Sequence, residues 1–299
     1  MESPVVVGVD GSDAGFTAVD WAVDEAVRHG LPLRIVHASL WERYEGFVPG
    51  WSRDRPAGQV LAENIVAVAE ERARRRAPGL TVAAEVLAED ASAVLLRWGT
   101  VATMVVVGSR GRGELGDLLL GSVSLVVAAR SHCPVVVVRG DQHALEARHQ
   151  RILLGLGDHD EASPAVRFAF REAEVRHAEL EVVRTWRRPA HEPVRHPLLT
   201  GEAGEYAQAA SELLDKALAA MGREHPQVHL RRSAIEGPAH KVLTDRAAAA
   251  DLLVVGALRR DRIVGLELGR VAHRALHHAS CPVAVVPQPH RVPTEGEPR

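Results

Sequence analysis

The residues best suited to chemistry lie between positions 108 and 124, in the stretch GSRGRGELGDLLLGSVS. Gly108, Gly111 and Gly121 let backbone N–H groups approach an anion with no Cβ in the way, and Arg110 and Arg112 add positive charge. Gly121, Ser122 and Ser124 have the composition of a helix N-terminus, where unpaired N–H groups, hydroxyls and the helix dipole all favour phosphate. Each charge-assisted hydrogen bond to an anion contributes about 1.5–3 kcal/mol, so two or three decide between binding and not binding. Glu114 and Asp117 repel phosphate unless they point to solvent or toward a metal.

Spacing removes two rival phosphate motifs. A Walker loop needs Gly-Lys before Ser or Thr, and neither Lys216 nor Lys241 follows a glycine. Residues 111–116 spell GxGxxG, but the dinucleotide fingerprint belongs to the first strand–helix turn, with an acidic residue about 20 positions on. The acidic residue in that first turn is Asp10, in VVVGVDGSD, with Ser12 two positions later. A carboxylate there holds ribose hydroxyls or a magnesium ion, or it is a turn aspartate that caps the next helix; both readings stand.

These residues need a frame, and the apolar pattern supplies one. Runs at 5–9, 33–38, 82–87, 104–108 and 134–138 lack polar alternation and read as strands covered on both faces. Helical patterns fill the gaps: one from Ser12 or Asp13 to Gly30 with Phe16, Val19, Val23 and Val27 on its apolar side, then 59–76, 91–101 and a fourth from Gly121. At an offset of about 147 the chain repeats itself, VVVGVDGSDAGFTAVDWAV on ILLGLGDHDEASPAVRFAF and SHCPVVVV on ASCPVAVV. The expected fold is α/β: two tandem doubly wound, Rossmann-like domains at 1–141 and 150–289, each a five-stranded parallel open sheet flanked by four helices, then a tail at 290–299. Ligands of such sheets bind where the strand order reverses, outside the strands' carboxyl ends.

Composition narrows the function. A net charge of −3 gives no electrostatic reason to expect nucleic acid or an anionic membrane as partner. No apolar run reaches the roughly 18 residues of a membrane span and no leader pattern opens the chain, so a cytoplasmic protein is expected. Cys133 and Cys281 occupy matching slots before a strand and read as buried, reduced core residues. His273 and His277 lie four apart on a predicted helix with nothing nearby to complete a ligand set. The HEPVRHP segment at 191–197, and Trp41, Tyr44 and Trp51, fall in long loops.

The pattern Gly108, two residues, Gly111, nine residues, Gly121, Ser122, with VVVGVDGS at strand one and CPVVVV at strand five, resembles the ATP-binding type of the universal stress protein family. The resemblance covers both halves and implies an adenine nucleotide alpha hydrolase-like fold. It implies that Gly8 and Asp10 lie against ATP, Asp10 near ribose or Mg2+, and that backbone near Ala38 meets the adenine. Gly108, Ser109, Arg110, Gly111, Arg112 and Gly113 would wrap ribose and phosphates, with Gly121, Ser122, Val123 and Ser124 closing on the phosphates. It further implies a homodimer or an intrachain pseudo-dimer through the last strands, and an unknown regulatory protein partner.

The second half departs from the pattern. Gly157 stands in place of Asp10, Arg259 in place of Gly111 and Arg270 in place of Ser122, while Gly256 keeps the place of Gly108. One working nucleotide site, in the first half, is the expectation. Three functions compete: a nucleotide-dependent stress-response regulator without rapid catalysis, a slow ATP hydrolase or phosphotransferase using Asp10 or Asp117 to position magnesium, and a nucleotide-free dimerisation module. Phosphate-binding groups without an evident general base favour the regulator.

Overall fold

A computed structural model describes residues 3–40, 57–109, 120–157, 163–188, 201–258 and 268–288. Arg110, Gly111, Arg112 and Gly113, the HEPVRHP segment, and Trp41, Tyr44 and Trp51 lie outside the described residues.

The first half runs β1 (Val5–Gly8), α1 (Asp13–His29), β2 (Leu33–Ala38), α2 (Ala57–Arg76), β3 (Val82–Leu87), α3 (Ala91–Trp98), β4 (Met104–Gly108), α4 (Ser122–Arg130) and β5 (Val135–Val138). A short helix, α5 (Gln142–Leu145), sits in the junction. The second half follows the same order: β6 (Arg151–Gly155), α6 (Pro164–Arg176), β7 (Glu179–Trp186), α7 (Gly201–Glu224), β8 (Leu230–Glu236), α8 (Ala239–Arg246), β9 (Leu252–Leu258), α9 (Arg270–His278) and β10 (Val283–Gln288). The α/β doubly wound arrangement is therefore present twice.

All strands join one sheet in the order β3-β2-β1-β4-β5-β10-β9-β6-β7-β8. Pairing is parallel within each half, and the halves meet where β5 and β10 pair antiparallel, Val137 opposite Val283 and Val135 opposite Val285. The expected strand-to-strand contact between the halves is thus made within one chain. It closes two edges that would otherwise invite pairing with other chains.

The strands are apolar on both faces because both are covered. Val5, Val7 and Val106 point to the layer of α1, α2, α6 and α7, whereas Val6, Val105 and Val107 point to the layer of α3, α4, α8 and α9. Helix ends follow local chemistry. Ser12 caps α1 by accepting from the Gly15 N–H, and Gly30 ends it in the left-handed conformation at φ 65°. Two details differ from the periodicity reading. Val27 is 54% exposed, because the buried stripe of α1 runs through Ala18, Val19, Ala22, Val23 and Ala26. Helix α3 stops at Trp98 rather than 101, because the chain turns at Gly99 close beside Ser131; a Cβ there would lie 2.6 Å from the Ser131 hydroxyl. Cys133 and Cys281 are both free and buried, and burial raises the pKa of each thiol.

Candidate functional site at the carboxyl ends of β1 and β4

The strand order reverses at β1, which lies between β2 and β4, so the crevice at this point lies beyond Gly8 and Gly108. The β1–α1 turn is built by a relay of short polar contacts. Asp10 Oδ1 accepts from the Ser12 N–H at 3.0 Å and from the Ser12 hydroxyl at 2.6 Å, and Ser12 Oγ accepts from the Gly15 N–H at 3.1 Å. Ser12 is therefore the helix cap, and Asp10 holds the cap in place. Gly11, at φ 83°, gives the turn the backbone shape that lets the carboxylate fold back on its own loop. Asp10 is half-buried, and among the described residues its Oδ2 takes no hydrogen bond.

His37 is a site neighbour that pattern reading missed. Its buried Nδ1–H donates to the Val9 carbonyl at 2.7 Å, tying the end of β2 to the β1–α1 turn one residue before Asp10. Ala38, the expected adenine neighbour, ends β2 opposite Leu87 and is partly exposed. The signal for His37 was a lone polar residue inside the apolar run LRIVHA.

At β4, Gly108 proves to be a packing glycine. A Cβ there would sit 2.7 Å from the Ala14 carbonyl oxygen, so only glycine lets the first turn of α1 rest on the strand end. Gly8 has a related reason, since a Cβ would come within 2.9 Å of Leu95. Ser109 donates its N–H to Val138 and accepts from the Gly121 N–H at 2.9 Å, a bond that joins the two ends of the glycine loop. Helix α4 then begins with Gly121 as N-cap and no side-chain cap. Its first backbone bond is Leu125 N–H to Gly121, so the N–H groups of Ser122, Val123 and Ser124 have no acceptor among the described residues. Ser124 is buried and its hydroxyl donates to the Gly108 carbonyl at 2.7 Å, fixing the helix start against the strand end. Of the sequence-predicted residues, Gly8, Asp10, Ser12, Gly108, Ser109, Gly121, Ser122, Val123 and Ser124 thus gather at one end of β1 and β4.

The corresponding end of the second half keeps the glycine cap and, through Ser163, a serine cap on α6, but lacks two polar groups at the matching positions. Gly269 caps α9 in the same extended conformation, again without a side-chain cap. Gly157 supplies no carboxylate, and Ala272, in the place of Ser124, supplies no hydroxyl. Helix α6 starts at Pro164, four residues later than an offset of 147 from α1 would give, and the Gln288 side chain, at 3.1 Å, is what a Cβ on Gly256 would meet.

The model of the universal stress protein family matches residues 1–139 and again residues 148–287. The chain belongs to the universal stress protein family. A universal stress protein of Mycobacterium tuberculosis is 34% identical over 295 residues, covering 95% of this chain and 97% of that protein. One of Mycolicibacterium smegmatis is 32% identical over 299 residues, with 95% and 97% covered. The crystal structure of a universal stress protein from Archaeoglobus fulgidus superposes with a TM-score of 0.70 at 16% identity, covering 96% of this chain and 99% of that one, a likeness of fold. The two universal stress protein repeats are thus the two halves of the sheet.

Other constellations add no site. His273 and His277 stack at 4.5 Å between ring centroids, but among the described residues the only three-residue group with metal-ligand spacing is Glu25, His29 and Glu172. No helix among the described residues is long and apolar enough to cross a membrane.

Proposed function

We propose that the first repeat binds one adenine nucleotide across the carboxyl ends of β1 and β4, that the second repeat binds none, and that the protein acts as a nucleotide-dependent regulator rather than a fast enzyme. The observation that carries this reading is the start of α4: a helix N-terminus at which the N–H groups of Ser122, Val123 and Ser124 have no acceptor among the described residues, beside the Asp10 turn at the strand-order reversal. Such an end attracts phosphate through its N–H groups and its dipole. Arg110, Gly111, Arg112 and Gly113 are assigned to the phosphates by their place in the sequence between Ser109 and Gly121, which are themselves joined by a hydrogen bond.

Asp10 has two duties in this reading. Oδ1 holds the turn, and Oδ2 faces ribose hydroxyls or one coordination position of Mg2+. A single carboxylate suits magnesium that keeps most of its ligands as water and phosphate oxygens. The ion would neutralise phosphate charge. Among the described residues at this end, His37 Nδ1–H is committed to the Val9 carbonyl and Asp10 Oδ1 to the Ser12 cap, which favours binding over turnover. Calorimetric titration of ATP into the whole chain, with phosphate release followed in parallel, tests the reading. One site per chain with release slower than about one turnover per minute is expected; turnover at the median enzyme rate of about 10 per second would contradict it.

A further inference from the structure

The internal repeat places Glu25 and Glu172 at equivalent positions of α1 and α6, and His29 and Arg176 one helical turn further on. These two helices meet at the boundary between the halves on one face of the sheet, and all four side chains are buried, His29 at 6% and Arg176 at 4% exposure and both glutamates at 0%. His29 Nε2 lies 3.1 Å from Glu25 Oε1 and 3.1 Å from Glu172 Oε1. Arg176 answers from α6, with Nε 3.1 Å from Glu172 Oε2 and Nη2 on Glu25 Oε2, its guanidinium 5.3 Å from the Trp21 ring centroid. Each cation thus bridges the carboxylates of both halves.

The spacing of Glu25, His29 and Glu172 would also suit a metal ion, but Arg176 already donates to both carboxylates, and an entering cation would have to displace a buried guanidinium. Among the described residues, the other charged groups acting on the cluster are Arg28 of α1, 3.1 Å from Glu25, and Asp251 before β9, whose charge acts on Arg176. The strands beneath, β5 and β10, contribute Val136, Val138, Ala284 and Val286. We propose that Glu25, His29, Glu172 and Arg176 form a proton-dependent clamp between the two repeats, tightest in mild acid and loosened as the solution turns alkaline.

The direction follows from how each group holds its proton. Burial opposes the charge of His29, but hydrogen bonds to Glu172 and Glu25 outweigh it and raise the imidazole to about 9. Burial, together with the charge of Glu25, raises the Glu172 carboxyl to about 7 against the pull of His29 and Arg176. Burial also opposes the charge of Glu25, yet Arg176, His29, Glu172 and Arg28 hold its carboxyl well below the usual range. The two raised groups keep protons that the unfolded chain releases at its ordinary values of 4.5 and 6.5. Their contribution is complete below those values and is lost as pH rises through about 7 for Glu172 and about 9 for His29. Glu25 acts in the opposite sense, its contribution present above 4.5 and lost only in strong acid. Each proton retained alters the folding constant by up to about tenfold per pH unit.

The test compares urea-unfolding midpoints of the full chain from pH 5.5 to 9 with those of Glu172→Gln, which keeps the shape of the protonated carboxyl and cannot ionise. The parent midpoint falls with rising pH, and the variant lacks the part of that fall below about pH 7.5. Parallel profiles would overturn the clamp. NMR titration of the His29 ring in the unaltered protein gives an answer that does not depend on a variant folding: a midpoint well above 6.5 supports the clamp, and one at or below 6.5 overturns it. Amide exchange, corrected for its intrinsic pH dependence, locates the loosening. Protection falls together in α1, α6, β5 and β10 if the cluster joins the repeats, whereas loss confined to one repeat contradicts the proposal.

Discussion

The β1/β4 end of the first repeat and the β6/β9 end of the second share a backbone and differ in chemistry. Both have a glycine in the fourth strand, Gly108 as its last residue in the first repeat and Gly256 two residues before its end in the second, then an extended glycine cap and no side-chain cap on the helix that follows. In the first repeat the cap is followed by Ser122 and by Ser124, which bonds Gly108; in the second it is followed by Arg270 and Ala272. Asp10 holds the Ser12 cap in the first repeat, and Gly157 occupies its place in the second. Gly108 and Gly121 have counterparts in Gly256 and Gly269, whereas the carboxylate of Asp10 and the hydroxyls of Ser122 and Ser124 have none at the matching positions of the second repeat.

The comparison breaks most visibly at position 111. Gly111→Arg copies Arg259 into the first repeat and should weaken ATP binding at least about 100-fold, close to 2.7 kcal/mol, with the circular dichroism spectrum unchanged. Unchanged affinity by calorimetry would place the phosphates elsewhere. Gly108→Ala drives a Cβ against the Ala14 backbone, whereas Gly256→Ala meets only the movable side chain of Gln288. The first should cost about 1–3 kcal/mol in urea unfolding and the second less than about 1 kcal/mol, because overpacking against backbone has no easy relief. Equal costs would show that the two glycines do the same work.

Smaller effects sharpen the same contrast. Asp10→Gly, copying Gly157, removes the group that holds the Ser12 cap, so a tenfold loss of ATP affinity, about 1.4 kcal/mol, should come with a modest fall in thermal stability. Affinity lost with no change in stability would mean that Oδ1 is not needed for the turn. Ser124→Ala, copying Ala272, deletes one buried hydrogen bond and should cost about 1 kcal/mol in urea unfolding. No cost would show that the bond adds nothing to the start of α4.

Much of this architecture is legible in the residues alone, and the reasons are local. Unbroken apolar runs mark the doubly covered strands, Ser12 and Gly30 mark the ends of α1, and matching SHCPVVVV and ASCPVAVV segments reveal both the repeat and its buried cysteines. What stays hidden depends on distance in space. Nothing in GSRGRG says that Gly108 is required by the backbone of α1, nor that the Ser124 hydroxyl turns back to the strand. His37 and the Glu25–His29–Glu172–Arg176 cluster are polar residues in apolar patterns, where a pattern reader sees imperfections. The offset of 147 that pairs Glu25 with Glu172 was nonetheless present in the sequence, and a search for charged residues repeated at that offset would have found the cluster.

The most direct measurement of the central claim is the stoichiometry of adenine nucleotide per chain. Calorimetric titration of ATP into the full-length protein is expected to give one site per chain, abolished by Gly111→Arg. Two equivalent sites per chain, or one that survives that substitution, would contradict the assignment of nucleotide binding to the first repeat alone.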